Sequence, residues 1–330
     1  MAEERTKFAR RHFLHLAAGA AMAPALPYIA RAETYPSRPV RLIIGYLPGG
    51  SADMTARLFG QWLSDRLGQQ FVVESRAGAS TNIATEAVVR AAPDGYTLLL
   101  ASPANATNAA LYDKLNFEFL RDVEPIAGQI RFADVVVVNP SLPVKTIPEL
   151  IAYAKANPGA LNFASSGVGS TLHVAGELFK MMAGVNIVHV PYRGGAPAML
   201  DLIAGRAQVM FDNVPTSLPY IRDGKIRPLA VTAAARVDVL PDLPLVADYV
   251  PGYEASAWYG IVGPKGTPAE VVEKLNREVN AILAEPDKKK RLAELGASLL
   301  PGSPADFGKL VADETEKWGK VIRFAGIKVE

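Results

Sequence analysis

From Pro36 onward, short apolar runs alternate with longer amphipathic ones. Residues 41–46, 70–74, 97–102 and 135–139 are rich in Val, Ile and Leu and too short for helices, so each predicts a strand. Residues 161–165, 187–192, 208–212 and 227–232 continue the series. Between them, helical periodicity covers 53–67, 81–91, 147–156, 171–183 and 196–204. In the last of these, Met199, Leu202 and Ile203 fall on one face and predict a core stripe. Strands alternating with helices of this length imply βαβ units and an α/β fold with mostly parallel sheets. Residues 269–284 and 305–324 predict long helices, charged on one side, that wrap the outside of a lobe. Ser303 or its neighbour caps the second, ahead of Pro304. The run Asp287-Lys288-Lys289-Lys290-Arg291 reads as a solvated helix face.

The N-terminus follows a different pattern. Arg10-Arg11-His12-Phe13-Leu14 precedes an alanine-rich apolar run that closes at Ala30-Arg31-Ala32. A charged head, a short apolar stretch and a small–x–small end predict an export signal over residues 1–32, removed on secretion. The arginine pair resembles a twin-arginine signal. Pro24 and Pro27 break the apolar run, which argues against a permanent membrane span. No cysteine occurs anywhere, which excludes disulfides, thiolate metal sites, a cysteine nucleophile and a lipoprotein anchor. The four histidines are scattered, and no metal or cofactor is expected. Of 35 basic and 33 acidic residues, the leader holds five and two. The remainder, 30 against 31, has a net charge of −1 and offers no basic surface for nucleic acid.

A weak internal repeat carries the candidate chemistry. The strand at 41–46 runs into Pro48-Gly49-Gly50-Ser51 and a helix; the strand at 161–165 runs into Ser166-Gly167-Val168-Gly169-Ser170 and a helix. Both helices continue alike, with Ala56-Arg57-Leu58-Phe59 against Gly176-Glu177-Leu178-Phe179. Either two lobes share one design or common residues coincide. A helix start has N–H groups without intrahelical partners and partial positive charge, and glycine admits a ligand close to the backbone. Each unit is therefore a candidate anion site. If the two lobes face each other, both helix starts point into one cleft, which suits a small carboxylate. Gly49, Gly50 and Ser51 on one side and Gly167, Gly169 and Ser170 on the other are the candidate binding residues.

Other candidates carry two readings each. Asp53 either caps its own helix and loop or meets an ammonium or hydroxyl of a ligand. His173 either donates to a ligand or fixes its loop, whereas His189 reads as structural. Arg193, after the strand at 187–192, has the fork that matches a carboxylate, or else serves solubility. Trp258 and Tyr259 line the pocket or pack in the core. No nucleotide-binding glycine motif, nucleophile elbow or His-Glu-x-x-His pair is present.

Several segments resemble one family. Tyr46-Leu47-Pro48-Gly49-Gly50-Ser51-Ala52-Asp53 is similar to the P-G-G-x-x-D turn of the Bug-type periplasmic solute-binding proteins, the extracytoplasmic receptors of tripartite tricarboxylate transporters. Glu74-Ser75-Arg76-Ala77-Gly78 through Asn82-Ile83-Ala84 resembles a second signature, and Ala92-Pro93-Asp94-Gly95-Tyr96-Thr97-Leu98 a third. Val190-Pro191-Tyr192-Arg193-Gly194 through Pro197-Ala198 and Asp201-Leu202, then Met210-Phe211-Asp212-Asn213, resembles a fourth. The resemblance implies a two-lobed Venus-flytrap fold, with lobe one at 36–138 plus 256–330 and lobe two at 139–255. It implies that the two turns hold the ligand carboxylate, largely through main-chain groups and water. By position it adds Asp53, His173, Tyr192 and Arg193 to the site, with Asp212 and Ser102 as second choices. This sequence departs from the family at Gly45 and Thr171, where Pro is common, so the ligand's identity does not carry over.

The expected function is therefore non-enzymatic. The protein would be a periplasmic receptor, soluble after signal cleavage and monomeric, that closes on a small carboxylate and delivers it to membrane transporter subunits. One alternative is an exported sensor module for a membrane receptor. Another is an enzyme using His173 with Asp53 or Asp212 as acid and base.

Overall fold

The strand β1 (Val40–Ile44) buries every residue except Arg41, the near-continuous apolar signature of a strand covered on both faces. The computed structural model describes residues 35–327; the expected leader at 1–32 lies outside the described residues. β1 pairs in parallel with β2 (Phe71–Ser75) and β3 (Thr97–Ala101). β9 (Ser256–Pro264) joins β3 antiparallel, and β4 (Val123–Val138) joins β9 antiparallel. The short β10 (Ala297–Leu299) lies on β4. Helices α1 (Ser51–Leu67), α2 (Asn82–Val89), α3 (Pro103–Leu111), α4 (Phe119–Asp122), α9 (Ala269–Ala284) and α10 (Pro286–Glu294) belong to this half of the sequence order.

A second sheet grows from the far end of the same strand. Asp134–Val138 of β4 pair antiparallel with β7 (Val209–Asn213), and the same stretch pairs with β8 (Arg227–Val231). β5 (Asn162–Ser165) lies parallel to both β7 and β6 (Val188–Pro191). Its helices are α5 (Ile147–Ala156), α6 (Thr171–Ala183), α7 (Gly195–Ile203) and α8 (Val214–Arg222). The fold is the expected two-lobed α/β one, parallel within β1–β3 and β5–β7 and antiparallel wherever β4 or β9 takes part.

β4 is the joint. Val123–Ala133 pair with β9 and Asp134–Val138 with β7 and β8, so one continuous strand serves both sheets. The chain returns at Ala255, whose N–H donates to Thr232 O at 3.0 Å, and at Ser256, which pairs with Ala133. The final helix, α11 (Pro304–Ala325), starts at Ser303, whose hydroxyl accepts from Asp306 N at 3.1 Å. It does not stay on the outside of one lobe. Phe307 and Val311 pack in the core around Trp258 and Val262, while Trp318 and Ile322 pack with Leu178, Phe179 and Phe211 beneath the second sheet. Its amphipathic stripe thus ties both lobes to one rod.

Candidate functional site

Five helices begin around one cavity. α1, α3, α6, α7 and α8 present Gly50 and Ser51, Ser102, Thr171 and Leu172, Gly195, and Asn213 and Thr216 to one shared space. Tyr46, Ser166, Asp212 and Tyr259 complete the polar wall. Each helix start offers N–H groups without intrahelical acceptors and partial positive charge, so the converging set favours an anion. The local sequence explains why the helices start there. Gly50 holds an extended N-cap conformation and Gly49 takes φ +96°, which turns β1 into α1. Ser170 caps α6 by accepting from His173 N at 3.3 Å.

Hydrogen bonds between the lobes border the cavity. Ser51 Oγ donates to Asn213 Oδ1 and lies 2.7 Å from Tyr259 OH. Asn213 Nδ2 in turn donates to Asp134 Oδ1, so a buried polar chain runs from β9 and α1 to the joint strand. Ser80 Oγ donates to Val168 O at 2.5 Å, and Thr107 Oγ1 to Gly169 O at 2.7 Å. Burial pushes the Asp134 carboxyl well above the usual range, against the Asn213 hydrogen bond. Burial also raises Asp212 to about 6, opposed by the hydroxyls of Thr216 and Ser217. The Tyr46 hydroxyl, 3.2 Å from Ser102 Oγ, is pushed up to about 12 by burial.

The structure brings some expected residues into this cavity and sends others elsewhere. Gly50, Ser51, Ser102 and Asp212 line it. Gly49 stands at the rim, where an added Cβ would lie 3.4 Å from Ala196 Cβ. Asp53 turns back on its own loop, accepting from Gly49 N at 3.1 Å and pairing with Arg57 at 2.9 Å. Gly169 packs against Leu111 and Thr107, and Ser170 donates to Gly167 O at 2.7 Å. His173 is buried; its Nδ1 accepts from Gly169 N at 3.0 Å, and its ring stacks on His189 at 3.8 Å. Burial, the His189 ring and Lys180 bring His173 down to about 2, and burial brings His189 to about 4. Both are neutral structural groups, and His189 Nε2 lies 2.7 Å from Ser165 Oγ.

Gly167, Tyr192 and Arg193 line an open groove that shares Tyr46 and Ser166 with the cavity. There Tyr192 OH donates to Asp201 Oδ2 at 2.7 Å, while the Arg193 side chain is exposed. Ala79, Ser80 and Thr81 border the same groove with positive φ, and Thr81 explains the departure at Gly45. A Cβ at residue 45 would lie 2.5 Å from Thr81 Cβ.

Trp258 and Tyr259 divide the two readings between them. Trp258 packs on Phe307 at 5.8 Å, and Tyr259, facing the opposite side of β9, reaches the cavity. Tyr46, Ser166, Thr171, Gly195, Asn213 and Thr216 were not among the expected binding residues. Their signal was adjacency to strand ends, and for Thr216 the Asn213-Val214-Pro215 helix start.

A closed pair of α/β lobes around a cavity ringed by helix starts defines a two-lobed solute-binding protein of the periplasmic type. The model of the tripartite tricarboxylate transporter family receptor matches residues 55–327. Protein BugT of Bordetella pertussis is 36% identical over 302 residues, covering 91% of this chain and 93% of that protein. The structure of Rhodopseudomonas palustris Rpa4515 with adipate has 41% identity and a TM-score of 0.87, covering 89% of this chain and all of that one. MatC of the same organism, with bound malate, has 31% identity and a TM-score of 0.82 over 87% of this chain and all of that one. The chain belongs to this receptor family. Among the described residues, no helix is long and apolar enough to cross a membrane.

Proposed function

We propose that this chain is an exported periplasmic receptor that captures one small carboxylated solute between its lobes and presents the closed form to a tripartite tricarboxylate-type membrane transporter. The observation that carries this reading is the convergence of five helix starts on one cavity between the lobes. The solute's carboxylate occupies the space between the starts of α1 and α6, with Gly50, Ser51, Ser102, Thr171 and Asn213 around it. The solutes of the two structural relatives, adipate and malate, support a dicarboxylate of four to six carbons. Gly167, Tyr192 and Arg193 serve the far end of a longer solute. Gly49, Asp53, Gly169, Ser170 and His173 hold the two turns in shape.

No catalysis is involved. His173 and Asp53 face their own loops, which supports binding without chemistry. The leader at 1–32 directs export by the twin-arginine route, and the mature chain works as a monomer. Lobe one comprises 36–133 and 256–330, and lobe two 134–255, with the bending point at the change of strand partners before Asp134, five residues ahead of the boundary expected from the sequence at 138/139. Thermal unfolding of the mature protein, stripped by unfolding and refolding, tests the reading against mono-, di- and tricarboxylates, aromatic acids and amino acids. A solute at 100 times its Kd stabilises by about 2.7 kcal/mol, a shift of several degrees or more. A shift confined to non-carboxylates would overturn the reading.

A further inference from the structure

The cavity favours negative charge, yet one of its walls is itself a carboxyl. Asp212 ends β7, is 2% exposed and lines the space. Its Oδ2 lies 2.5 Å from Thr216 Oγ1, a hydroxyl shared with Asn213 O, and accepts from Ser217 Oγ at 2.7 Å, and the Asn213 N–H also donates to the carboxyl. Its Oδ1 lies on the side of Gly195, the first residue of α7 and itself part of the wall; a Cβ built there would sit 4.0 Å away.

Among the described residues, no lysine or arginine lines the cavity. The titratable groups facing Asp212 are Asp134 from β4, Tyr259 from β9 and Tyr46 from the turn before α1. On the helices packed against β7, the charged groups are engaged away from it. His173 of α6 bonds Gly169, and Lys180 pairs with Glu177 at 2.7 Å. Asp201 of α7 is bound by Tyr192 and Arg206. Arg222 ends α8, a turn and more beyond Ser217, with Tyr220 before it. β5 carries no titratable residue. A solute carboxylate and an ionised Asp212 would therefore share one cavity with no lining cation between them, and like charges so placed disfavour one another's ionised form.

We propose that Asp212 reads the solute beside its carboxylate: its Oδ1 accepts from a hydroxyl or ammonium on the solute chain, and a solute without such a donor binds only with uptake of one proton. The inference rests on the carboxylate reading above and narrows it to hydroxy- or amino-substituted carboxylates. Burial, which already lifts the Asp212 carboxyl to about 6, makes that proton available at modest cost near neutral pH.

Calorimetric titration of the stripped mature protein tests it with two matched pairs, succinate against malate and adipate against 2-aminoadipate. Each titration is run in phosphate and in Tris at pH 7.5, so that the buffer dependence of the heat counts protons. The unsubstituted member of the binding pair should take up close to one proton and bind up to about tenfold tighter per unit fall in pH between 8 and 7. The substituted member should take up close to none and bind at least tenfold tighter at pH 7.5. Asp212→Asn should abolish the uptake and erase the preference within the pair. Thr216→Val, which removes one donor to the same carboxyl, should move the uptake to higher pH, and it serves where Asp212→Asn does not fold. Binding of succinate or adipate without proton uptake overturns the inference alone, as does uptake that survives in Asp212→Asn. If neither pair binds while another carboxylate of the panel does, the inference alone is overturned; if no carboxylate of the panel binds, the carboxylate reading falls with it.

Discussion

The two strand–turn–helix units look alike in sequence and are used differently in the fold. In the first, the turn itself lines the cavity: Gly50 and Ser51 face it, and Ser51 reaches across to Asn213. In the second, Ser166 reaches the cavity but the end of the turn is scaffolding. Gly169 is pressed against Leu111, Ser170 and His173 are consumed by caps, and the helix meets the cavity one residue later, at Thr171 and Leu172. The same local rule, glycine before a helix start, frees N–H groups in both. Which residues meet a ligand is decided by what else packs against the turn.

Alanine at matched glycines breaks that comparison most strongly. Gly169 takes φ +78°, and a Cβ there would lie 2.2 Å from Leu111 Cδ1. Gly169→Ala should cost about 2–4 kcal/mol in a denaturant titration. Gly50 has φ −93° and nothing nearer its Cβ position than Gly195 N at 3.9 Å. Gly50→Ala should leave stability within about 0.5 kcal/mol and, by filling the cavity, weaken carboxylate binding by about tenfold, the equivalent of about 1.4 kcal/mol.

The histidine pair sharpens the comparison next, because it braces only the second turn. The unfolded chain binds protons at both rings near pH 6.5, whereas the folded chain holds them off to about 4 and about 2. Stability from the pair is thus full above about 6.5 and is lost as pH falls below it. Asp212 and Asp134, raised by burial, work in the opposite sense and gain stability on acidification. His173→Asn should isolate one ring: its loss between pH 7 and 5 should be smaller than wild type by about 2 kcal/mol, read from unfolding curves at the two pH values.

Serine substitutions come third. Ser170→Ala removes a cap and should cost about 1 kcal/mol with solute affinity unchanged. Ser51→Ala removes a bond between lobes at about 1 kcal/mol, and affinity should fall severalfold because closure is weakened. Arg193→Ala should be the smallest. The side chain is exposed on the groove, so adipate should lose at most about 1 kcal/mol of binding and succinate none.

Much of the fold was legible because its strands and long helices follow simple periods. Two of the five helices that ring the site were not. α3 buries Asn105, Thr107 and Asn108 in hydrogen bonds to Thr85, Gly169 and Asn82, so its inward face is polar and shows no apolar stripe. α8 carries Pro215 at its start and Pro219 inside, which reads as a break. β4 was seen only at its second end, since Pro125 and Gly128 fall where its register shifts against β9. Arg193 has the fork that suits a carboxylate, yet it lies exposed on the groove while helix starts ring the cavity. Main-chain donors have no residue signature, so Tyr46 and Thr216 could be found only after the helices were placed.

The account's central claim is that the converging helix starts hold the solute's carboxylate. A crystal structure of the protein with the tightest-binding dicarboxylate tests it most directly. The prediction is a carboxylate within hydrogen-bonding distance of first-turn N–H groups of α1 and α6, beside Ser51 and Thr171. A carboxylate bound at Arg193 in the open groove, with the cavity filled by water alone, would contradict it.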